Sequence, residues 1–191
     1  MGSSGGGATR TDNARAENAR PHIALVGMMG SGKSSVARRA ARRLGLRHVD
    51  VDVEIERSAG CSIAALFASE GEGAFRDRET AALRAALDAD EPVVIATGGG
   101  AVLRAENRAL LRERATVVWL RAEPATLLGR VGDGASRPLL ADDPLGNLTR
   151  IARERAPLYG AAAHHAVDVD HVPFDEITER VLQVVATQVT R

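Results

Sequence analysis

The chain has 191 residues, of which 45% are hydrophobic and 26% charged, and its 25 basic residues balance its 25 acidic ones to a formal net charge of zero. These values are typical of one globular domain, and no apolar run approaches the roughly 20 residues that a membrane-spanning helix needs. Zero net charge excludes a whole-surface attraction to nucleic acid or anionic lipid, so any anion site must be local.

Counts of single residue types narrow the class of protein further. The one cysteine, Cys61, excludes an internal disulfide and a cysteine-rich zinc site, so we expect a reduced thiol in a cytoplasmic protein. Aromatic residues make up only 3% of the chain, which argues against a base-stacking surface for single-stranded nucleic acid. Lys33 is the single lysine among the 25 basic residues, and unless this is chance the position needs lysine for a physical reason.

Residues 1–21 differ in composition from the rest of the chain. They are rich in Gly, Ser, Ala, Asn and Arg, show no apolar periodicity and lack the apolar core of a signal peptide. A segment of this kind buries too little apolar surface to offset the entropy of ordering. We therefore expect a disordered extension over residues 1–21 and a single domain over residues 22–191.

Short β-rich runs alternate with longer helical patterns from residue 22 onward, which predicts an α/β fold with a parallel sheet covered by helices. The runs are apolar and continuous, as strands buried on both faces require. Five strands are predicted, at residues 22–26, 47–51, 92–97, 116–120 and 165–169. Helices are predicted at residues 34–44, 51–59, 63–68, 72–87 and 174–189. Residues 131–147 are rich in Gly, Asp and Pro and long for a connection, so we interpret them as a mobile lid.

A phosphate-binding pattern follows the first predicted strand. Residues 27–34 read GMMGSGKS, fit GxxxxGK[ST] and open a predicted helix. The glycines let successive backbone N–H groups point at phosphate oxygens, and the helix dipole adds positive potential there. Lys33 would then meet the β- and γ-phosphates and the Ser34 hydroxyl would bind Mg²⁺, which gives the lone lysine its reason. The dinucleotide fingerprint GxGxxG fails, because Ser35 stands where the third glycine belongs.

Two carboxylates follow the second predicted strand. In an extended segment Asp50 and Asp52 would face the same side, where together they would hold a metal-bound water and a substrate hydroxyl. Helix N-capping by either residue is the alternative interpretation. The sequence predicts that both lie at the mouth of the phosphate crevice.

Candidates for binding a second anion lie further along the chain. Glycines 98–100 follow the third strand at its carboxyl end, where their N–H groups would meet an anion or simply form a tight turn. Arg76 has Glu79 three residues on, so a surface ion pair is the alternative to ligand binding. Arg155 could equally be solvated, and Arg137 lies in the predicted lid.

Taken together, these motifs resemble those of shikimate kinases, and the likeness spans about residues 22–190. The matching segments are GMMGSGKS at 27–34, DVD at 50–52, FRxxE at 75–79, GGG at 98–100, SRPLL at 136–140 and RAPLY at 155–159. The resemblance implies a P-loop fold like that of nucleoside monophosphate kinases, with sheet order 2-3-1-4-5 and a moving lid. It also implies ATP-dependent phosphorylation of shikimate to shikimate 3-phosphate in the chorismate pathway of aromatic amino-acid synthesis, with Mg²⁺ as cofactor.

The same resemblance implies roles for single residues. The ATP site would comprise Gly30, Ser31, Gly32, Lys33, Ser34, Ser35, Arg130 and Arg137. Shikimate would be bound by Asp52 through its hydroxyls, and on its carboxylate side by Arg76, Arg155 and the glycines Gly98, Gly99 and Gly100. Mg²⁺ would be held by Ser34 and, through water, by Asp50. The catalytic residues would be Lys33, Asp52 and Arg137.

Small departures and two alternatives remain at this point. Ser35 stands where threonine is often found, and His171 and Val172 offer no arginine to cover adenine, which leaves the packing of the nucleotide open. A gluconate-type sugar-acid kinase would share the phosphate loop, and a shikimate- or nucleotide-sensing regulator would keep the pocket without catalysis. We expect a monomer that acts on small molecules and contacts neither nucleic acid nor membrane.

Overall fold

The computed structural model describes residues 22–131 and 142–189. In these ranges five strands form one parallel sheet in the order β2-β3-β1-β4-β5, which confirms the predicted class and the order implied by the resemblance. The strands are β1 (His22–Val26), β2 (Arg47–Asp50), β3 (Val93–Ala96), β4 (Ala115–Arg121) and β5 (His165–Asp168). Each predicted strand is confirmed to within one residue at either end.

Seven α-helices accompany the sheet in the described part of the chain. They are α1 (Lys33–Leu44), α2 (Val51–Ala59), α3 (Ile63–Leu87), α4 (Ala105–Arg114), α5 (Pro124–Val131), α6 (Pro144–Ala162) and α7 (Phe174–Val189), with a short 3₁₀ turn at Ala101–Leu103. The two segments predicted at 63–68 and 72–87 form α3, which breaks its helical backbone only at Gly71. The sequence did not predict α4, α5 or α6. In α6 the interior Pro157 obscures the helical pattern.

The structure describes the two ends of the segment interpreted as a lid, residues 131–147, and not its middle. Val131 is the last residue of α5, and Pro144 is the first of α6, whose N-cap Asp143 accepts a hydrogen bond from the Gly146 N–H at 2.9 Å. Residues 132–141, among them Arg137, lie outside the described residues, and so do residues 1–21. The lid and the disordered extension therefore stay predictions.

The sheet has a hydrophobic core on each face. On one face α1 and α7 cover the strands through small and branched side chains such as Ala40, Val36 and Ile177. The other face is covered by helices α2 to α6 and contains larger side chains, including Leu83 and Leu111. No helix within the described ranges is long and apolar enough to cross a membrane.

The central strand β1 brings two loops to one edge of the sheet. It pairs with β3 on one side and with β4 on the other, so that Leu25 is in register with Ala96 and with Val118. The Leu25 carbonyl accepts hydrogen bonds from the Thr97 N–H at 3.2 Å and from the Thr97 hydroxyl at 3.0 Å. Beyond this point the chain continues from β1 into residues 27–34 and from β3 into glycines 98–100, so both loops lie at the carboxyl ends of neighbouring strands, where ligands of open α/β sheets bind.

Gly45 ends α1 in a left-handed backbone conformation, and substituting it tests whether the position requires glycine. Gly45 has φ 68°, and a Cβ added there would meet no atom within 4 Å. We expect Gly45→Ala to lower the free energy of unfolding by about 1 kcal/mol, because an L-residue is strained in this conformation. Gly160 lies inside α6 with equally open space around it. Gly160→Ala should raise the same free energy by about 0.5 kcal/mol. Urea unfolding measures both, and shifts of the same sign would contradict this account.

Candidate active site

A cavity of about 430 Å³ lies in the crevice at the carboxyl ends of β1 and β3. Its wall brings together most of the residues predicted for the site. From that prediction it includes Gly30, Gly32, Lys33, Ser34, Ser35, Asp52, Arg76, Gly98, Gly99, Gly100, Arg130 and Arg155. Asp50 and Ser31 do not line it, and Arg137 belongs to the undescribed segment.

The phosphate loop is folded around the base of Lys33. The Lys33 side chain is mostly buried, and its Nζ donates a hydrogen bond to the Met28 carbonyl at 2.9 Å. Gly32 has φ 95°, and a Cβ on it would lie 2.5 Å from Cε1 of Phe174, so only glycine fits this position without a shift. The Ser31 side chain is fully buried, which turns its hydroxyl away from the cavity. The arrangement leaves Ser34 and Ser35 at the cavity wall.

Arg130 ties the phosphate loop to the far end of the sheet. Its Nη2 donates to the Val169 carbonyl at 2.7 Å and its Nη1 to the Ser31 carbonyl at 3.5 Å. The guanidinium also lies 5.3 Å from the centroid of the Phe174 ring, and Arg39 lies 5.5 Å from the same ring. An aromatic ring between two guanidinium groups therefore stands beside the loop. The sequence has no arginine at positions 171 and 172, where His171 and Val172 stand, to cover an adenine. Arg130 and Phe174 form the cavity wall beside the loop instead.

The expectation that Asp50 and Asp52 project together from one extended segment was wrong. Strand β2 ends at Asp50, and Asp52 already lies in the first turn of α2. The Asp50 Oδ1 accepts a hydrogen bond from the Asp52 N–H at 3.2 Å, which is the N-capping alternative weighed in the sequence analysis. Helix formation directly after the strand separates the two carboxylates. Only Asp52 faces the cavity.

Arg76 is held by two carboxylates of its own helix. Its Nη1 donates to Glu79 Oε2 at 2.8 Å and its Nη2 to Glu72 Oε1 at 3.0 Å. The side chains of Arg76 and Glu79 are 12% and 1% exposed, so the ion pair weighed as a surface feature is a buried one. Burial raises the pKa of Glu79, and the positive charge of Arg76 opposes this rise. The pair fixes the guanidinium at the cavity wall.

Gly98 and Gly100 are required by the side chains around them. A Cβ on Gly98 would lie 2.5 Å from Glu79 Oε1 and 2.7 Å from Asp52 Oδ1, and one on Gly100 would clash with the Arg76 guanidinium. Because these two residues have no side chain, their backbone lies directly against the charged groups of Glu79, Asp52 and Arg76. The tight turn also forms, since the Ala101 N–H donates to the Gly98 carbonyl at 3.2 Å.

Helix α6 contacts the glycine segment through two side chains one turn apart. Arg155 Nη1 donates to the Gly99 carbonyl at 3.0 Å, and the Tyr159 hydroxyl donates to the same carbonyl at 2.6 Å. Arg155 also lines the cavity, so it is not simply solvated. The sequence analysis gave Tyr159 no role beyond its place in a motif.

Aromatic side chains are the residues of the site that the sequence analysis missed. All three phenylalanines of the chain, Phe67, Phe75 and Phe174, line the cavity, and the rings of Phe67 and Phe75 lie 4.6 Å apart. Their rarity was the available clue, because a chain that is 3% aromatic places all three of its phenylalanines at one cavity.

The oxygen donors of the cavity fit Mg²⁺ in the manner of phosphate-transfer sites. No cluster of three or more His, Cys, Asp or Glu side chains suited to a metal ion occurs in residues 22–131 or 142–189. Mg²⁺ in such sites is held by one or two carboxylates, water and the phosphates of the nucleotide, without a cage of protein ligands. The exposed Ser34 and the half-buried Asp52 both line the cavity and supply a hydroxyl and a carboxylate.

The charge of the cavity differs from that of the whole chain. Among the described residues, four cationic side chains line it, Lys33, Arg76, Arg130 and Arg155, against the two carboxylates of Asp52 and Glu79. A chain of zero net charge therefore has a local excess of positive charge where phosphate and carboxylate groups would bind. The arrangement is suited to two anionic ligands side by side.

Comparison with known proteins agrees with this geometry. The sequence model of the family described as Shikimate kinase matches residues 29–186. The shikimate kinase of Symbiobacterium thermophilum is 47% identical over 165 residues, which cover 85% of this chain and 94% of the relative. The solved structure of shikimate kinase from Acinetobacter baumannii in complex with shikimate is similar at a TM-score of 0.84 and 36% identity, over 92% of this chain and 98% of that chain.

The alternative of a gluconate-type sugar-acid kinase is supported less well by the comparison. A gluconokinase from Sinorhizobium meliloti is similar at a TM-score of 0.56 and 20% identity, over 89% of this chain and 94% of that chain. At this identity the likeness shows a common fold alone. The family match covers most of the chain and the identity to a relative of almost equal length is near one half. The chain therefore belongs to the shikimate kinase family.

Proposed function

We propose that the cavity binds ATP on the phosphate loop and shikimate against Asp52, Arg76 and Arg155, so that a shikimate hydroxyl faces the γ-phosphate. Membership of the family gives the activity, an ATP-using kinase that phosphorylates shikimate in aromatic amino-acid biosynthesis. The observation that carries the assignment of residues is that a phosphate loop and a pair of arginines line one cavity. Position 3 of shikimate is the acceptor that the resemblance implies.

The nucleotide side is assigned to the loop and its neighbours. The triphosphate is bound by the backbone of Gly30, Ser31 and Gly32 together with Lys33, Ser34 and Ser35. The N-terminus of α1 adds positive potential to the same position. Arg130 and Phe174 contact the adenine, since both lie against the loop and one is a cation over the ring of the other.

The shikimate side is assigned to the opposite wall. Arg76 and Arg155 bind the substrate carboxylate, because a planar guanidinium donates paired hydrogen bonds to it. The backbone of Gly98, Gly99 and Gly100 approaches the same group. The hydrophobic wall of Phe67 and Phe75 packs on the ring of the substrate.

Asp52 orients the attacking hydroxyl and accepts its proton. The hydroxyl oxygen forms a bond to the γ-phosphorus, the bond between that phosphorus and the oxygen of the leaving ADP breaks, and the hydroxyl proton passes to the Asp52 carboxylate. Lys33 stabilises the charge that develops on the phosphoryl oxygens. Nearly all of the catalysis is therefore positioning and electrostatics.

Two assignments rest on the resemblance more than on contacts. Mg²⁺ would be held by Ser34 and, through water, by Asp50, and would neutralise phosphate charge. Arg137 would reach the γ-phosphate from a lid over residues 131–147 and exclude water from the reaction. The single cysteine of the chain, Cys61, is an exposed free thiol, which supports a cytoplasmic location.

The function is tested by coupled ADP release across shikimate, quinate, gluconate and nucleoside monophosphates. We expect release with shikimate, and Lys33→Met should lower kcat by at least about 100-fold, because it removes a charge that meets the transferring group. Arg42→Met is the matched control, since Arg42 is exposed on the same helix. Shikimate-dependent release that persists in Lys33→Met would contradict the assignment.

Replacing Asp52 and replacing Asp50 should lower the activity in ways that depend differently on Mg²⁺. Asp52→Asn should lower shikimate binding and turnover at every Mg²⁺ concentration. Asp50→Asn should be partly rescued by raising Mg²⁺, and because asparagine caps a helix as well as aspartate, this variant removes the charge without removing the cap. Initial rates over a Mg²⁺ series measure the difference. The same metal dependence in both variants would show that the roles are divided wrongly.

Lysine should not replace the two arginines. Arg76→Lys or Arg155→Lys should raise the shikimate KM about tenfold, which corresponds to one charged hydrogen bond, and leave the ATP KM nearly unchanged. Arg153→Lys is the control, because Arg153 is exposed on the same helix as Arg155. Calorimetry in which Arg76→Lys binds shikimate like the unmodified chain would reduce Arg76 to a structural ion pair.

A further inference from the structure

The Gly99 carbonyl is held differently from the carbonyls next to it. Gly98 and Gly100 accept hydrogen bonds from within the turn, from the N–H groups of Ala101 at 3.2 Å and Leu103 at 2.9 Å. The Gly99 carbonyl instead points to α6, where it accepts from the Tyr159 hydroxyl at 2.6 Å and from Arg155 at 3.0 Å. A single backbone oxygen thus joins the glycine segment to a helix some 60 residues away in the chain.

The direction of this carbonyl fixes the direction of a donor. In a trans peptide the C=O of one residue and the N–H of the next point opposite ways, and the described residues contain no cis peptide bond. Holding the Gly99 carbonyl against α6 therefore holds the Gly100 N–H pointing away from α6. Gly100 lines the cavity, and a Cβ on it would clash with the Arg76 guanidinium, so the orientation of this peptide affects the wall assigned to the substrate carboxylate.

Burial and a ring stack fix the position of Tyr159. Tyr159 is 1% exposed, and its ring stacks on that of Trp119 at 5.7 Å between centroids. Burial raises the pKa of its hydroxyl to about 12, so the group remains a hydrogen-bond donor at any pH at which the chain would be assayed. Arg155 shares its acceptor, so the tyrosine also limits where that guanidinium can lie.

We infer that Tyr159 is a positioning residue for shikimate: through the Gly99 carbonyl it holds the Gly100 N–H and the Arg155 guanidinium in the geometry that binds the substrate carboxylate. The tyrosine touches no substrate and acts only through these groups. The inference rests on the proposed role of Arg155 and the glycines in binding shikimate.

Tyr159→Phe is the test, because it removes the hydroxyl and keeps the ring on Trp119. We expect the Kd and KM for shikimate to rise about five- to tenfold, the effect of one hydrogen bond, while the ATP KM and kcat stay within twofold. Calorimetry and the coupled assay measure these constants. Near-ultraviolet circular dichroism of Trp119, the single tryptophan, verifies that the stack is retained.

Thr178→Val is the matched control for the loss of a buried hydroxyl. Thr178 is fully buried in α7 and its hydroxyl donates to the Phe174 carbonyl at 2.7 Å, on the nucleotide side of the sheet. This variant should lose a similar amount of thermal stability and keep the shikimate Kd. A shikimate Kd that rises as much here as in Tyr159→Phe would reduce the tyrosine to a structural residue.

The double variant Tyr159→Phe/Arg155→Lys tests whether the tyrosine hydroxyl acts through the Gly99 carbonyl that it shares with Arg155. If the hydroxyl acts through the shared carbonyl, the rise in shikimate KM is smaller than the product of the two single rises. A full product, or a shikimate Kd for Tyr159→Phe within twofold of the unmodified chain, overturns the inference while leaving the proposed function intact. Absence of shikimate-dependent ADP release in the unmodified chain would instead overturn the proposed function, and this inference with it.

Discussion

The site depends on the two hydrogen bonds that Thr97 donates to the Leu25 carbonyl. They lock the carboxyl end of β3 to that of β1, at the last point where the two strands remain in register. From here one strand continues into the phosphate loop and the other into the glycines of the carboxylate wall. In the proposed arrangement of the two ligands, the distance between the donor phosphate and the acceptor hydroxyl would depend on the relative position of these two loops, and so on the contact between Thr97 and Leu25 in the buried sheet.

The rarest residue types of the chain are concentrated around the phosphate loop and the glycine segment that follow β1 and β3. The single lysine is in the phosphate loop, the three phenylalanines line the cavity, and the single tyrosine and tryptophan form a stack behind the glycine wall. Arginine supplies every other basic side chain of the chain, and arginines such as Arg57, Arg150 and Arg180 lie in exposed ion pairs that contribute little to stability. The few aromatic groups of the chain thus lie at the cavity or directly behind its glycine segment.

Sequence reasoning reached the features that local pattern determines. The phosphate loop was found because strand, glycines and helix are contiguous, and the strands because burial on both faces leaves a continuous apolar run. The helix predicted at residues 51–59 formed as expected, and the interpretation of Asp50 and Asp52 failed because it treated residues 50–52 as extended although an N-cap hydrogen bond begins α2 there. Tyr159 and Phe174 were missed because their contacts are with residues far away in the chain, which no local pattern reveals.

The ion pair between Arg76 and Glu79 shows what positioning requires in such a site. Burial raises the pKa of Glu79 and so disfavours its charged form, yet the carboxylate is kept 2.8 Å from the guanidinium. A buried pair of this kind contributes little net stability, because desolvation offsets most of the attraction. Its effect lies in orientation: Glu72 binds the Nε and Nη2 groups of the guanidinium, Glu79 binds Nη1, and a side chain at Gly100 would clash with the guanidinium. Loss of Arg76 would leave the Glu79 charge buried alone, so truncation there would measure the stability of the helix as well as substrate binding. Replacement by lysine keeps a positive charge beside Glu79 and changes only the planar geometry, which is the property that carboxylate binding uses.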